Sequence, residues 1–214
     1  VWDFIVERRD DIIFNTYQHA SLVAQAVLLA TVIAVLLAVV VVRVPALAGV
    51  ANVVSAIGLT LPAFALIGLL LPLTSIGVVT GFVAVTFYAI LPILRNAVVG
   101  LQQVDETLLE SARGMGMGQL ASLWRVRIPL AWPVILAGIR TSTQMSMGIA
   151  AIAAYVKGPG LGDYIFAGLV RIGGANAVNY AVVGTVGIIL VALVADALLL
   201  LLGRASISKG IRAA

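Results

Sequence analysis

Few side chains in this sequence could do covalent or metal chemistry. There is no cysteine and only one histidine, His19, which excludes disulfides, thiolate metal sites, thiol catalysis and any multi-histidine metal site. ATP hydrolysis needs a glycine-rich phosphate loop that closes on Gly-Lys-Ser/Thr. The only lysines, Lys157 and Lys209, are each followed by glycine, so the sequence holds no such loop, and no metal or cofactor is expected on this chain. What remains is noncovalent. A polar run, Thr141, Ser142, Thr143, Gln144 and Ser146, lies with Arg140, Gly138 and Gly148 in an otherwise apolar stretch, and Asp196 lies in another. Ionisable groups within apolar spans are costly in lipid and mark polar contacts or routes. Small and hydroxyl residues also let membrane helices pack closely, so the run reads equally as a helix contact.

These residues sit in spans that must cross a membrane. Of the 214 residues, 62% are hydrophobic and 10% charged, and the mean hydropathy is +1.16. A soluble domain is nearer a quarter charged, so lipid must cover much of this surface. Residues 21–42 form an uncharged stretch of roughly 33 Å as a helix, enough to cross the hydrocarbon core. Arg43 closes it. Residues 44–94 are also uncharged, too long for one helix, and broken by the turn-forming cluster from Pro72 to Gly77. The reading is two helices, at 50–71 and 77–99. A fourth span runs over 133–156 and a fifth over 177–202, separated by a glycine-rich charged loop at 157–176. Pro62 and Pro92 each fall inside a span, where they should kink the helix and free the carbonyls of Gly58 and Tyr88. Such kinks line a cavity or pack on neighbours. With Arg140, Ser142 and Ser146 they make a candidate translocation path. Arg140 could snorkel to the cytosolic end or face a water-filled space, and Asp196, near the inner end of the last span, reads as structural or interfacial. The chain opens on Val1, which suggests that the natural start is missing or removed; residues 1–20 carry both charge signs and form an N-terminal segment outside the spans.

Charge placement orients the spans. With the C-terminus inside, the inner segments hold Arg43, Arg95, Arg113, Arg125, Arg127, Arg140, Arg204, Lys209 and Arg212. The outer ones hold only Arg8, Arg9, Lys157 and Arg171. This asymmetry favours N-out, C-in, and assigns the basic residues to cytosolic loops rather than to nucleic acid.

The segment 101–131 then lies in the cytosol. Residues 104–113 read as helical, with Leu108, Leu109 and Ala112 as an apolar strip. Gly114, Gly116 and Gly118 permit a sharp reversal. Residues 119–126 form a second short helix with Leu120, Leu123 and Trp124 on one side, ended by Ile128-Pro129. Helix, glycine turn, helix makes a projecting knob whose apolar side needs a cover.

This segment resembles the EAA motif of ABC-importer permeases: Glu-Ala-Ala, three residues, Gly, nine residues, Ile, any residue, Leu-Pro. Glu110, Ala112, Gly116 and Pro129 match in register, with Ser111, Val126 and Ile128 as conservative replacements. Leu91 to Asn96, Ile128 to Pro133, Ala137 to Thr141 and Gly160 to Phe166 are similar to the glycine betaine/choline/carnitine branch, the osmoprotectant importers, and the likeness covers most of residues 20–205. One departure is Val156-Lys-Gly-Pro-Gly-Leu-Gly162 where that branch often has Ile-Gly-Ala-Gly-Gly-Leu-Gly.

The resemblance implies an all-α, type I ABC-importer permease of about five transmembrane helices in the bacterial cytoplasmic membrane. The permease domain would cover 21–205, followed by a short cytosolic tail at 206–214. A separate cytosolic ATPase dimer would carry ATP and Mg and take the knob through Glu110, Ser111, Ala112, Gly114, Gly116, Ile128 and Pro129. A second permease copy or paralogue would enclose the path. An extracytoplasmic solute-binding protein would meet the outer loop at Lys157, Gly160, Gly162 and Asp163. Aromatic cages recognise quaternary ammonium groups; Phe64, Phe82, Phe87 and Tyr88 are scattered in sequence, so a cage is expected on the binding protein. A permease for another solute, such as an amino acid, and a stand-alone carrier or channel remain open on the motifs alone.

Overall fold

The computed structural model describes residues 1–207. Lys209 and Arg212, which contribute to the charge asymmetry, and most of the 206–214 tail lie outside them. Helix α1 (Trp2–Glu7) precedes α2 (Arg9–Arg43), whose 35 residues reach roughly 52 Å. That exceeds the hydrocarbon core. The N-terminal segment is therefore no separate unit: it is α1 plus the projecting first turns of the first span. In α2, Ala26, Ala30, Ala34 and Ala38 recur every fourth residue and are fully buried. Such a stripe of small side chains brings backbones together, and it joins the main core with Ala89, Ile93 and Ala97.

Those three belong to α5 (Val78–Gln102), which lies antiparallel against α8 (Ile128–Ala153). Glycine sets the closeness. A Cβ on Gly100 would stand 2.9 Å from the Val134 Cβ, and one on Gly138 would stand 2.7 Å from the Asn96 Cβ. At the far end a Cβ on Gly81 would meet the Ala153 Cβ at 3.1 Å. Helix α10 (Ala177–Ser206) runs beside α8, with the short α9 (Gly162–Val170) wedged at one end.

The helix expected at 50–71 is instead two: α3 (Pro45–Thr60) and α4 (Ala63–Thr74), bent by 96°. Pro62 is the cause. Its ring pushes Leu61 out of the helical region, to φ −64° and ψ 130°. The Gly58 carbonyl is not left free but accepts from the Leu61 N–H at 3.3 Å. The Leu61 carbonyl in turn accepts from the Tyr88 hydroxyl at 2.6 Å. The turn is shorter than the Pro72–Gly77 cluster read from the sequence: α4 continues through Pro72 to Thr74, and the reversal falls at Ser75 (φ 62°) and Gly77 (φ 141°).

Among the described residues four helices are long and apolar enough to span a membrane, and five if the bent pair is one span. Arg43 and Leu101 line one cavity, so α2 and α5 end together. Gly81, near the start of α5, sits by Gly158 at the opposite end. The bent pair therefore carries the chain from one end to the other, which makes five crossings.

Candidate functional site

The 101–131 segment forms the expected knob. Helix α6 (Glu106–Gly114) is capped by Asp105, whose carboxylate accepts from the Thr107 N–H at 2.9 Å. The Thr107 hydroxyl and N–H hold that carboxyl below the usual range. Gly116 turns the chain at φ +85°, and α7 (Gln119–Ser122) follows. Ile128-Pro129 does not end the second helix, contrary to the sequence reading. A π turn over Leu123–Arg127 passes directly into α8, with the Ile128 N–H bonded to the Leu123 carbonyl. This wide turn accommodates the Pro129 ring, which in an α-helix clashes with the carbonyl four residues back.

Leu109 and Ala112 face inward, whereas Leu108, Met115, Leu120 and Trp124 face out. Trp124 is 60% exposed and Leu120 64%. Glu110, Ser111, Gly114, Gly116 and Pro129 are exposed beside them, and Ile128 is half-buried. The knob is tied to the bundle by the Arg127 Nε, which donates to the Leu101 carbonyl at 2.9 Å. Arg43, Arg113 and Arg127 line a cavity of about 360 Å³ between knob and spans.

The candidate path residues divide. Ser142 is fully buried and donates to the Ala89 carbonyl at 2.9 Å, so its hydroxyl joins α8 to α5. Ser146 is fully buried in the same chain, its hydroxyl without a partner. Pro92 is buried within a continuous α5. These three do not open onto a route here; helical phase turns them toward the core. Pro62 does lie exposed, at the break. The exposed face of α8 instead carries Ala137, Thr141, Gln144 and Gly148, spaced by three and four residues. Small and polar side chains compose that face, not the large aliphatics that lipid favours.

Arg140 neither snorkels nor stands free. Its Nε and a terminal nitrogen donate to the two oxygens of Asp196, each at 3.0 Å. Gln144 donates to the same carboxylate at 3.1 Å. Neither ionic group lies near its helix end: Arg140 is the thirteenth residue of the 26 in α8 and about 18 Å along it.

The 157–176 loop lies at the opposite end of the bundle. Lys157 is exposed in the left-handed region, φ 62°. Gly160 and Gly162 face inward rather than out. A Cβ on Gly160 (φ 120°) would stand 2.8 Å from the His19 Cβ, and one on Gly162 would collide with the Ala151 carbonyl. Only Lys157 and Asp163 of the four predicted loop residues are exposed. Desolvation raises the Asp163 carboxyl and nearby Asp11 adds to it, against the pull of Lys157. Tyr164 donates to Asp11 at 2.5 Å, and burial and this bond hold its hydroxyl well above its ordinary range.

Two aromatic clusters flank this loop; of the four rings read as scattered in the spans only Phe64 joins one, while Phe87 and Tyr88 pack edge-to-face on each other. Phe4, Tyr164 and Tyr180 form one, and Phe64, Tyr155 and Phe166 the other. Each draws on separated segments, which is why no local sequence signal marked them.

A bundle of five crossings with a broken second span and a projecting α-turn-α knob is the fold of a type I ABC-importer permease. The chain superposes on a chain from the inward facing conformations of the MetNI methionine ABC transporter with a TM-score of 0.71 at 22% identity, covering 94% of this chain and 95% of that one. It belongs to the family of binding-protein-dependent transport system inner membrane components, whose model matches residues 22–207. The choline transport system permease protein OpuBB of Bacillus subtilis is 38% identical over 90% of this chain and 87% of its own length. The glycine betaine/carnitine/choline permease protein OpuCB of the same organism is 37% identical over 98% and 94%. The osmoprotectant import permease protein OsmW of Salmonella typhimurium is 41% identical over 92% of each.

Proposed function

We propose that this chain is the permease subunit of an ATP-driven importer in a bacterial cytoplasmic membrane, and that its solute is a quaternary ammonium osmolyte such as choline, glycine betaine or carnitine. The observation that carries the reading is the exposed apolar knob on a chain whose sequence has no phosphate loop. Leu108, Met115, Leu120 and Trp124 need a cover, and Glu110 sits beside them as the one acidic group of the motif. A cytosolic ATPase dimer fits that surface. The solute class is supported by the names of the relatives. A second permease copy or paralogue would close on the small, polar face of α8, and a solute-binding protein would dock near Lys157 and Asp163. ATP-driven closure of the ATPase pair would push on the knob and exchange two states of the cavity with different solute affinity. The orientation is N-out, C-in, supported by the basic residues grouped at the knob end.

Two measurements test this. The permease, its ATPase and binding protein reconstituted in proteoliposomes should take up labelled choline, glycine betaine or carnitine only with ATP and loaded binding protein. Uptake without ATP would replace this reading with a stand-alone carrier. Cysteines introduced as Ser75→Cys and Gln119→Cys should label from opposite sides of the membrane, Ser75→Cys from outside. Labelling of Gln119→Cys by an impermeant reagent in intact cells would overturn the orientation.

A further inference from the structure

Phe64, Tyr155 and Phe166 come from α4, from the turn after α8 and from α9, yet their rings touch. The Phe64 and Tyr155 centroids are 5.5 Å apart at 82°, and those of Tyr155 and Phe166 are 5.6 Å apart at 53°. Phe64 is 50% exposed and Tyr155 65%. Among the described residues no arginine or lysine lies over these three rings. The neighbouring cluster is a control within the same chain. There the Arg8 guanidinium stands 5.1 Å from the Phe4 and Tyr180 centroids, and that of Arg171 stands 4.7 Å from the Tyr180 centroid. Aromatic faces on this end of the bundle thus attract cations, and in one cluster the chain supplies them itself. The other cluster has no such cation of its own among the described residues, with Phe64 and Tyr155 exposed and Phe166 half-buried.

Position adds a second argument. Phe64 is the second residue of α4, directly past the Leu61–Pro62 break. Interrupted helices within membrane proteins are tolerated where they line a cavity, and they recur at substrate sites. Tyr155 lies at the end of the exposed α8 face that carries Ala137, Thr141 and Gly148. The trio therefore stands where the small, polar face of α8 meets the bent span.

A quaternary ammonium head group has no N–H to donate, and it is held by the negative faces of aromatic rings. We propose that Phe64, Tyr155 and Phe166 form a transit site for the quaternary ammonium group of the solute, in the half of the path nearer the 157–176 loop. This rests on the solute class given under Proposed function. An open trio suits transit better than a closed cage, since a permeating solute must enter favourably and still leave.

The test uses the complete reconstituted complex with saturating loaded binding protein. Tyr155→Leu and Phe64→Leu should each lower uptake of a trimethylammonium solute by about tenfold, while Tyr155→Trp stays within about threefold of the parent. Mono-, di- and trifluorinated phenylalanines placed at position 155 should lower uptake stepwise from the Tyr155→Phe level. Fluorine drains charge from the ring face with little change in size, so a ring that only packs against lipid would give a flat series. A flat series, or parental uptake by both leucine variants, would overturn the proposal. If the leucine variants fail to assemble, the fluorine series decides. A parent complex that moves no quaternary ammonium solute would refute the solute class itself, and the transit site with it. A parent that moves one with a flat series would refute the transit site alone.

Discussion

Arg140 grips Asp196 across the α8–α10 contact with two parallel hydrogen bonds of 3.0 Å, about midway along α8. The pair is only partly solvated, with the side chains 33% and 21% exposed. Removing one partner leaves the other charge without compensation, which costs several kcal/mol at fully buried pairs. Partial exposure discounts that here. Asp196→Asn should cost about 1–3 kcal/mol and lower the midpoint of thermal unfolding in detergent by several degrees. Arg140→Lys should recover only part of the bond, because an ammonium cannot match the carboxylate in a bidentate fork. Arg140→Leu and Asp196→Leu should each fall further from the parent than the double variant that carries both. Additive losses in that cycle would mean the two residues act separately.

Gly116 and Gly114 separate conformation from space within the knob. Neither would meet any atom within 4 Å if given a Cβ, but only Gly116 has a positive φ, at +85°. Gly116→Val should therefore cost about 1–2 kcal/mol through the backbone alone and misdirect the knob. Gly114→Ala, at the end of α6, should be neutral or slightly stabilising. Solute-stimulated ATPase activity of the assembled complex reads both. It should fall strongly in Gly116→Val and persist in Gly114→Ala. Equal behaviour would show that the positive φ is not what coupling needs.

Trp124 and Glu110 test the surface itself. Both are exposed, so neither substitution disturbs the core. Trp124→Ala should weaken capture of the ATPase by roughly thirtyfold, the loss expected of an aromatic anchor worth about 2 kcal/mol. Glu110→Lys reverses a charge at the same face and should weaken it further in the double variant. Membrane insertion, followed by fractionation, should be unchanged. Undiminished binding in both single variants would place the ATPase contact elsewhere.

Gly162 tests the inward packing of the outer loop. A Cβ there would collide with the Ala151 carbonyl, which is backbone and cannot swing aside. Gly162→Ala should destabilise the protein by about 1–3 kcal/mol. Gly68→Ala, with nothing within 4 Å of its added Cβ, should leave stability within about 0.5 kcal/mol. Thermal unfolding in detergent separates the two; a tolerated Gly162→Ala would show that the loop can lift from α8.

Much of this protein was legible in its residues because lipid imposes a one-dimensional rule. A span must be long and apolar, so residues 21–42, 77–99, 133–156 and 177–202 announced themselves by composition, and the glycines at 114–118 announced a turn by their conformational range. The motif from Glu110 to Pro129 is likewise continuous in sequence, and it folds into one knob. Pairings and directions were not legible. Pro62 marked a kink, but neither its 96° angle nor the bond by which Tyr88, 26 residues further on, takes up the Leu61 carbonyl could be read locally. The polar run of α8 gave no sign of which members faced out, since helical phase has meaning only once α5 and α10 are placed. Packing then put Ser142 and Ser146 inside and left Thr141 and Gln144 at the surface. Asp196 became the partner of Arg140, and Phe64, Tyr155 and Phe166 became neighbours, only through contacts between distant segments. Local composition decides which stretches enter the membrane; which of their side chains meet is decided by the close approach of helices that alanine and glycine permit.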